Sequence, residues 1–193
     1  MNTGDYSVAV GDSALLKLTG DNSFNTAVGY EAGYELVSGA SNTLVGHDAG
    51  YGGTAASFSN VVAIGDEAGK SLTTANDLVA IGRRAFNSIN TQASGVAVGF
   101  EAGRYAYGIN NTYLGFKSGL GSNTATNNTA TNNVGVGFES LKAVTTGSDN
   151  IAIGSTAGTA ITTATGNVII GSASGSDLKT GAGNVFIGNG AGN

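Results

Sequence analysis

Three acidic residues, Glu31, Asp48 and Glu67, each stand two places after a glycine in the stretches NTAVGYEAG (Asn25 to Gly33), NTLVGHDAG (Asn42 to Gly50) and VVAIGDEAG (Val61 to Gly69). If those stretches stack, the carboxylates become neighbours about one strand spacing apart, a donor set of the kind hard cations such as Ca²⁺ take. The same position then continues as Arg84, Glu101, Lys117 and Glu139, so the row mixes both signs. The glycine-aspartate nonapeptide of calcium β-rolls is missing. A solvated charged rim accounts for the row, and neither a metal nor any other cofactor is expected.

The other chemistry-bearing residues are few. His47 is the single histidine of the chain. It has no serine or cysteine nucleophile context, and one imidazole builds a metal site only if symmetry supplies copies, so a surface role is expected. Tyr34, Tyr51, Tyr105 and Tyr107, with Arg104 beside the last pair, lie in connecting segments and offer flat amphipathic rings to a glycan or protein. Phe100, Phe116 and Phe138 recur one place after their glycines and are expected to pack beneath the turn. A polar run, GSNTATNNTATNN (Gly121 to Asn133), brings Asn127, Asn128 and Asn132 forward as binding candidates, because loops on one face of a repeat protein often carry function. The alternatives are a polar excursion without consequence or an extra stack of turns. No catalytic residue is nominated. A polysaccharide-cleaving site would need two acids facing one groove, whereas the acids here recur with the repeat, and an ice-binding array would need more than Thr26, Thr43 and Thr112.

What positions these residues is a repeat. Eleven glycines (Gly11, Gly29, Gly46, Gly65, Gly82, Gly99, Gly115, Gly137, Gly154, Gly171 and Gly188) follow one another at spacings of 18, 17, 19, 17, 17, 16, 22, 17, 17 and 17. A period near 17 along nearly the whole chain means a solenoid, read here as one repeat domain over residues 1–193. With the glycine as position zero, −1 is always aliphatic (Val10 to Ile187), −3 is Val, Ile or Thr, and −2 is most often Ala. Period-two alternation with β-branched residues predicts a strand ending at each glycine. Positions −1 and −3 share a face and are expected to fill the coil interior. Position −2 then faces outward yet is apolar, so Ala27, Leu44, Ala63, Ala80, Ala97, Tyr113, Ala152, Ile169 and Phe186 are expected to be covered by another copy of the chain. An apolar residue seven places after the glycine (Leu18, Leu36, Leu72, Ile89, Ala106, Val144, Ile161, Leu178) predicts a second strand per coil. The leading Asn of many units (Asn25, Asn42, Asn111, Asn133, Asn150, Asn167, Asn184) predicts an amide ladder.

Composition agrees. Gly is 33 of 193 residues, Pro and Cys are absent, charged residues are 11% and hydrophobic ones 40%, which excludes collagen, flexible linker and disorder. Lack of Cys suits an extracellular surface. A net charge of −5 disfavours nucleic acid. No apolar run reaches the ~18 residues of a membrane span, so no membrane insertion is expected. The start, MNTGDYSVAV, has no basic n-region or apolar h-region of a signal peptide. The first and last repeats look like interior ones, as in a piece of a longer protein.

The units NIAIG (Asn150 to Gly154) and NVIIG (Asn167 to Gly171) resemble the head repeats of YadA-type trimeric autotransporter adhesins, and NTAVGYEAG is similar to repeats of phage-tail-like trimeric fibres. The resemblance covers about residues 7 to 193. It implies a left-handed parallel β-roll intertwined as a homotrimer, so that with the repeat the expected fold is an all-β, left-handed parallel β-roll (a β-solenoid) of about eleven coils of the seventeen-residue period. It also implies a non-enzymatic role in attachment to a cell-surface glycan or protein receptor, at an extracellular or virion-fibre location. The alternative is a rigid spacer whose receptor-binding tip lies elsewhere. The period exceeds that of the adhesin head, and no heptads, neck or anchor are seen.

Overall fold

Each coil begins with a short strand that stops one residue before its glycine. The structure, a computed structural model, describes residues 6–19, 24–91, 94–123 and 128–193. The strands are β1 (Val8–Val10), β2 (Thr26–Val28), β3 (Thr43–Val45), β4 (Ser59–Ile64), β5 (Asn76–Ile81), β6 (Gly95–Val98), β7 (Thr112–Leu114), β8 (Val134–Val136), β9 (Ile151–Ile153), β10 (Val168–Ile170) and β11 (Val185–Ile187). Two compact units contain them. Met1–Ser94 carries β1 to β5 and Gly95–Asn193 carries β6 to β11. Within each unit every strand pairs in parallel with the next, −2 opposite −2, as in Ala27↔Leu44 and Ala152↔Ile169. Each unit is therefore a parallel β-solenoid, and no helix occurs among the described residues.

Beyond the glycine the chain turns, and its amides keep reaching for the neighbouring coil. Glu31 donates its N–H to Asp12 (3.0 Å), Asp48 to Tyr30 (3.0 Å) and Glu67 to His47 (2.9 Å), each on the carbonyl. All three have positive φ, at 52°, 55° and 55°. Left-handed backbone at a non-glycine residue costs on the order of 1 kcal/mol, and it persists because it aims each amide at a carbonyl of the preceding coil.

Among the described residues the second strand does not form. Between the strands, the regular pairing reduces to isolated bridges such as Leu36↔Ala56 and Thr165↔Ala182. The apolar side chains seven places after the glycine belong to backbone that bonds back on its own turn instead, Leu36 N–H to Gly33 (3.1 Å) and Ile161 N–H to Gly158 (3.0 Å), which curls the chain. Seven of the eight, Leu18, Leu36, Leu72, Ile89, Ala106, Val144 and Ile161, belong to the core, and Leu178 is half-buried.

The strand faces are the reverse of the expected ones. Ala27, Leu44, Ala63, Ala80, Ala97, Tyr113, Ala152 and Ile169 are fully buried within the single chain, and Phe186 is half-buried, so the −2 row is core and is not free to face a partner. Positions −1 and −3 point out, with Val28, Ile64, Val96, Leu114, Ile151, Ile153 and Ile170 exposed. Volume decides this. Against the −2 row stand buried small residues at +3 (Ala32, Ala49, Ala68, Ala85, Ala102, Ser118, Ser140, Ala157, Ser174), leaving room for little more than alanine. A larger −2 side chain is admitted where the residue at +4 is glycine: a Cβ on Gly50 would lie 2.6 Å from Leu44, and one on Gly119 would lie 2.2 Å from the Tyr113 ring. Coil 2 has Ala27 and Gly33, and Leu15 and Leu44 of the flanking coils fill the space over Gly33. That is jigsaw packing with volume shared between coils.

Tyr113 is the largest of these core residues, and its hydroxyl has no satisfactory hydrogen-bond partner. Burial drives its pKa far upward, with Asn133 opposing. An unsatisfied buried hydroxyl costs about 1–3 kcal/mol. Tyr113→Phe is therefore expected to match or exceed the parent in urea denaturation. A loss above about 1 kcal/mol would show that the hydroxyl is bonded.

The amide ladder does form. Asn150 donates its N–H (3.0 Å) and Nδ2 (3.1 Å) to Asn133 Oδ1, and Asn167 donates in the same way to Asn150 Oδ1 (3.1 and 2.9 Å). The remaining Nδ2 hydrogen of Asn150 goes to Ala164 O at 2.8 Å. Asn25 and Asn42 repeat the pattern in the first unit (2.8 Å). Where Asn is replaced by Val61 and Leu78, the positions are buried and apolar, and β4 and β5 lengthen to six residues.

Candidate functional site

Asp48, Glu67, Glu101 and Glu139 of the acidic row are paired with the chain's own bases, while Glu31 lies against the Tyr30 hydroxyl. Lys70 Nζ lies 2.8 Å from Asp48 and 2.9 Å from Glu67, whose other oxygen accepts from Arg84 at 2.5 Å. Hydrogen bonds from Lys70 and Arg84 hold the Glu67 carboxyl below its ordinary value, and Asp48 foremost raises Lys70. In the second unit Glu101 pairs with Arg104 (2.6 Å) and Glu139 with Lys142 (2.9 Å). Among the described residues no group of three or more His, Asp or Glu is placed to hold a metal ion. The pairing is visible in sequence as acid-x-x-base: Glu67–Lys70, Glu101–Arg104, Glu139–Lys142.

His47 lies on the surface of the first unit, stacked on Tyr30 (centroids 5.6 Å apart) with Nδ1 2.8 Å from Asp66, which also accepts from Arg83 Nε at 3.0 Å. Its Nε2 is 3.7 Å from Asp48 Oδ1. The Asp66 contact raises the imidazole pKa above its ordinary 6.5, and the same contact lowers Asp66 below 3.8. A raised histidine pKa stabilises the fold below the unfolded value and loses that contribution as pH rises through the folded value. A depressed aspartate stabilises above its unfolded value and loses that contribution as pH falls through the folded one. The pair thus helps most between about pH 4 and 6.5, by a small, salt-screened amount since both side chains are exposed. A proton NMR titration is expected to place His47 above 6.5, and Asp66→Asn to bring it down; no difference between the two proteins would remove Asp66 as the cause.

The tyrosine candidates separate into two places. In the first unit Tyr34 and Tyr51 stack at 5.2 Å, with Lys17 Nζ 5.0 Å above Tyr34 and bonded to Glu35 at 2.5 Å. In the second, the Arg104 guanidinium lies 4.8 Å over Tyr105, and Tyr107 is half-buried. Both are partly exposed ring surfaces beside a cation.

In the long step, the described residues Ser122 and Asn128 are tied to each other. Asn128 is buried, accepts from Ser122 N–H (3.0 Å) and donates to Ser122 O (2.5 Å), so this binding candidate acts as a clasp. Asn132 is bonded between Asn110 (3.3 Å) and Asp149 (3.0 Å), while Asn127 lies outside the described residues. Beside the clasp an open, mainly apolar recess of about 420 Å³ is lined by Leu120, Ser122, Lys142, Ala143, Thr145 and Thr162.

No protein-family model, curated protein or solved structure matches this chain.

Two features went unanticipated. The phenylalanines at +1 do not pack under the turn: Phe100, Phe116 and Phe138 stack ring on ring at 5.2 Å, with Phe116 39% and Phe138 49% exposed. Their shared position was the signal for the ring-on-ring row, since a residue recurring at +1 aligns with its copies when the coils stack. The other feature is the outward sheet face itself, which carries no charged residue at any −3 or −1 position of the eleven strands.

Proposed function

We propose that this chain is a non-enzymatic module of a homotrimeric surface or phage-like fibre, built as a left-handed β-roll of YadA-like character. It would mediate attachment to a cell-surface glycan or protein from an extracellular or virion position. The supporting observation is the uncharged outward face. Val, Ile, Leu and Thr occupy all of its −3 and −1 positions, and many of them are exposed in the single chain. Within each unit such an apolar strand face is unusual on a monomer and marks an association site. Chains joined through this face would leave the charged and aromatic turns outside. There the Tyr34–Tyr51 and Arg104–Tyr105 surfaces are the receptor-facing candidates. The second reading is a rigid spacer, favoured by the ion pairs that occupy most of the turn charges.

Light scattering is expected to give three times the chain mass; a stable monomer at micromolar concentration removes the trimer. Binding of the isolated trimer to host cells or a glycan array supports attachment, with Tyr34→Ala/Tyr51→Ala as the loss-of-binding variant. A trimer that binds nothing leaves the spacer.

A further inference from the structure

We propose that the Phe100–Phe116–Phe138 ladder is a contact seam with a second copy of this chain, widening the outward face of the second unit where that unit associates. The inference rests on self-association through the outward sheet face. Three observations select a copy of the chain over a receptor. First, the ladder adjoins that face: Thr112 and Leu114 share one side of β7, Phe116 follows two places after Leu114, and Leu114 and Phe116 are 45% and 39% exposed. Second, the rings repeat once per coil at 5.2 Å, in step with the strand pairing Thr112↔Val134. A partner built on the same repeat meets such a ladder in register over its whole length. Third, the area is right. With Val96, Leu114, Ile151, Ile153, Ile170, Val185 and Ile187, the exposed apolar side chains offer on the order of 800 Å², about what one partner gives a standard-size interface. The phenyl rings bring no hydrogen-bonding group of their own, which disfavours a sugar and suits a dry protein contact. After Phe138 the residues at +1 become Ser155 and Ser172, so the seam is confined to the first three coils of the unit. The corresponding positions of the first unit hold Tyr30, His47, Asp66 and Arg83, whose ionic contacts give a polar flank instead.

The test uses the full chain and Phe116→Ser/Phe138→Ser, with light scattering over a dilution series and far-UV circular dichroism as a fold check. The wild type is expected to be oligomeric, and the variant to keep its β spectrum while dissociating at concentrations roughly thirty-fold higher or more, the loss typical of a hot-spot aromatic. A second measurement avoids any folding defect. Because the chain has no cysteine, Phe116→Cys introduces one thiol, whose maleimide labelling should slow about tenfold or more as protein concentration rises through assembly. A monomeric wild type overturns both the self-association reading and the seam. An oligomeric wild type whose serine variant assembles equally well, or whose thiol labels at one rate at all concentrations, overturns the seam alone.

Discussion

Gly154→Ala is expected to lower stability by at least about 4 kcal/mol and to prevent cooperative folding of the second unit. Two costs combine. Gly154 has φ +139°, a region that side-chain-bearing residues scarcely enter. A Cβ there would also lie 2.4 Å from Gly171 O and 2.6 Å from Gly171 C, and both are backbone atoms of the next coil. They cannot swing aside, because Gly171 is itself bonded through its N–H to Ile153 O at 2.8 Å. The same close approach links Gly137 to Gly154 and Gly171 to Gly188, at 2.4 Å each, so any shift propagates along the stack. Gly183→Ala separates the two costs. Its φ is +71° and nothing lies within 4 Å of the added carbon, so only backbone strain of about 1 kcal/mol is expected. Urea denaturation of both variants decides the matter, and equal stability would dismiss the inter-coil clash.

Asn150→Asp is expected to cost about 3–5 kcal/mol at neutral pH, the scale of breaking a buried polar network and leaving a charge unpaired. The parent amide donates to Asn133 Oδ1 (3.1 Å) and Ala164 O (2.8 Å). A carboxylate there has nothing to donate, so two acceptors would face its charge in a fully buried position. Burial would raise the folded pKa of the new carboxyl above its unfolded value near 4. The penalty is therefore full well above the folded pKa and shrinks as pH falls through it, because the protonated acid regains one donor. Stability of this variant relative to the parent should improve from about pH 7 to about pH 4. Asn150→Val carries no charge and should lose less, as the apolar ladder positions Val61 and Leu78 suggest. If the aspartate variant matches the parent across that range, the ladder contributes nothing.

The candidate sites were only partly legible in sequence. Tyr34, Tyr51, Arg104 and Tyr105 are placed as partly exposed ring and cation surfaces because the turn rows stack one coil on the next, which the period alone implies. Asn128 is buried and its amide pairs with Ser122, a contact that composition does not encode. The phenylalanine ladder was misassigned because recurrence says that three rings align and is silent on which side of the turn they lie.

The eleven strands, each ending one residue before its glycine, and the asparagine ladder could be read from the chain without coordinates. Both follow from local rules: a glycine such as Gly154, at φ +139°, can sit against the backbone of the next coil, and a repeated amide can bond its own copy. Which strand face lies inside needed the packed coil. Alternation has a period but no sign. The sign came from volume, since the space between strand and turn holds alanine, or a large residue over a glycine, and leaves the row of Val, Ile and Leu outside. The apolar surface offered to a partner is therefore the −1 and −3 face, widened in the second unit by Phe116 and Phe138.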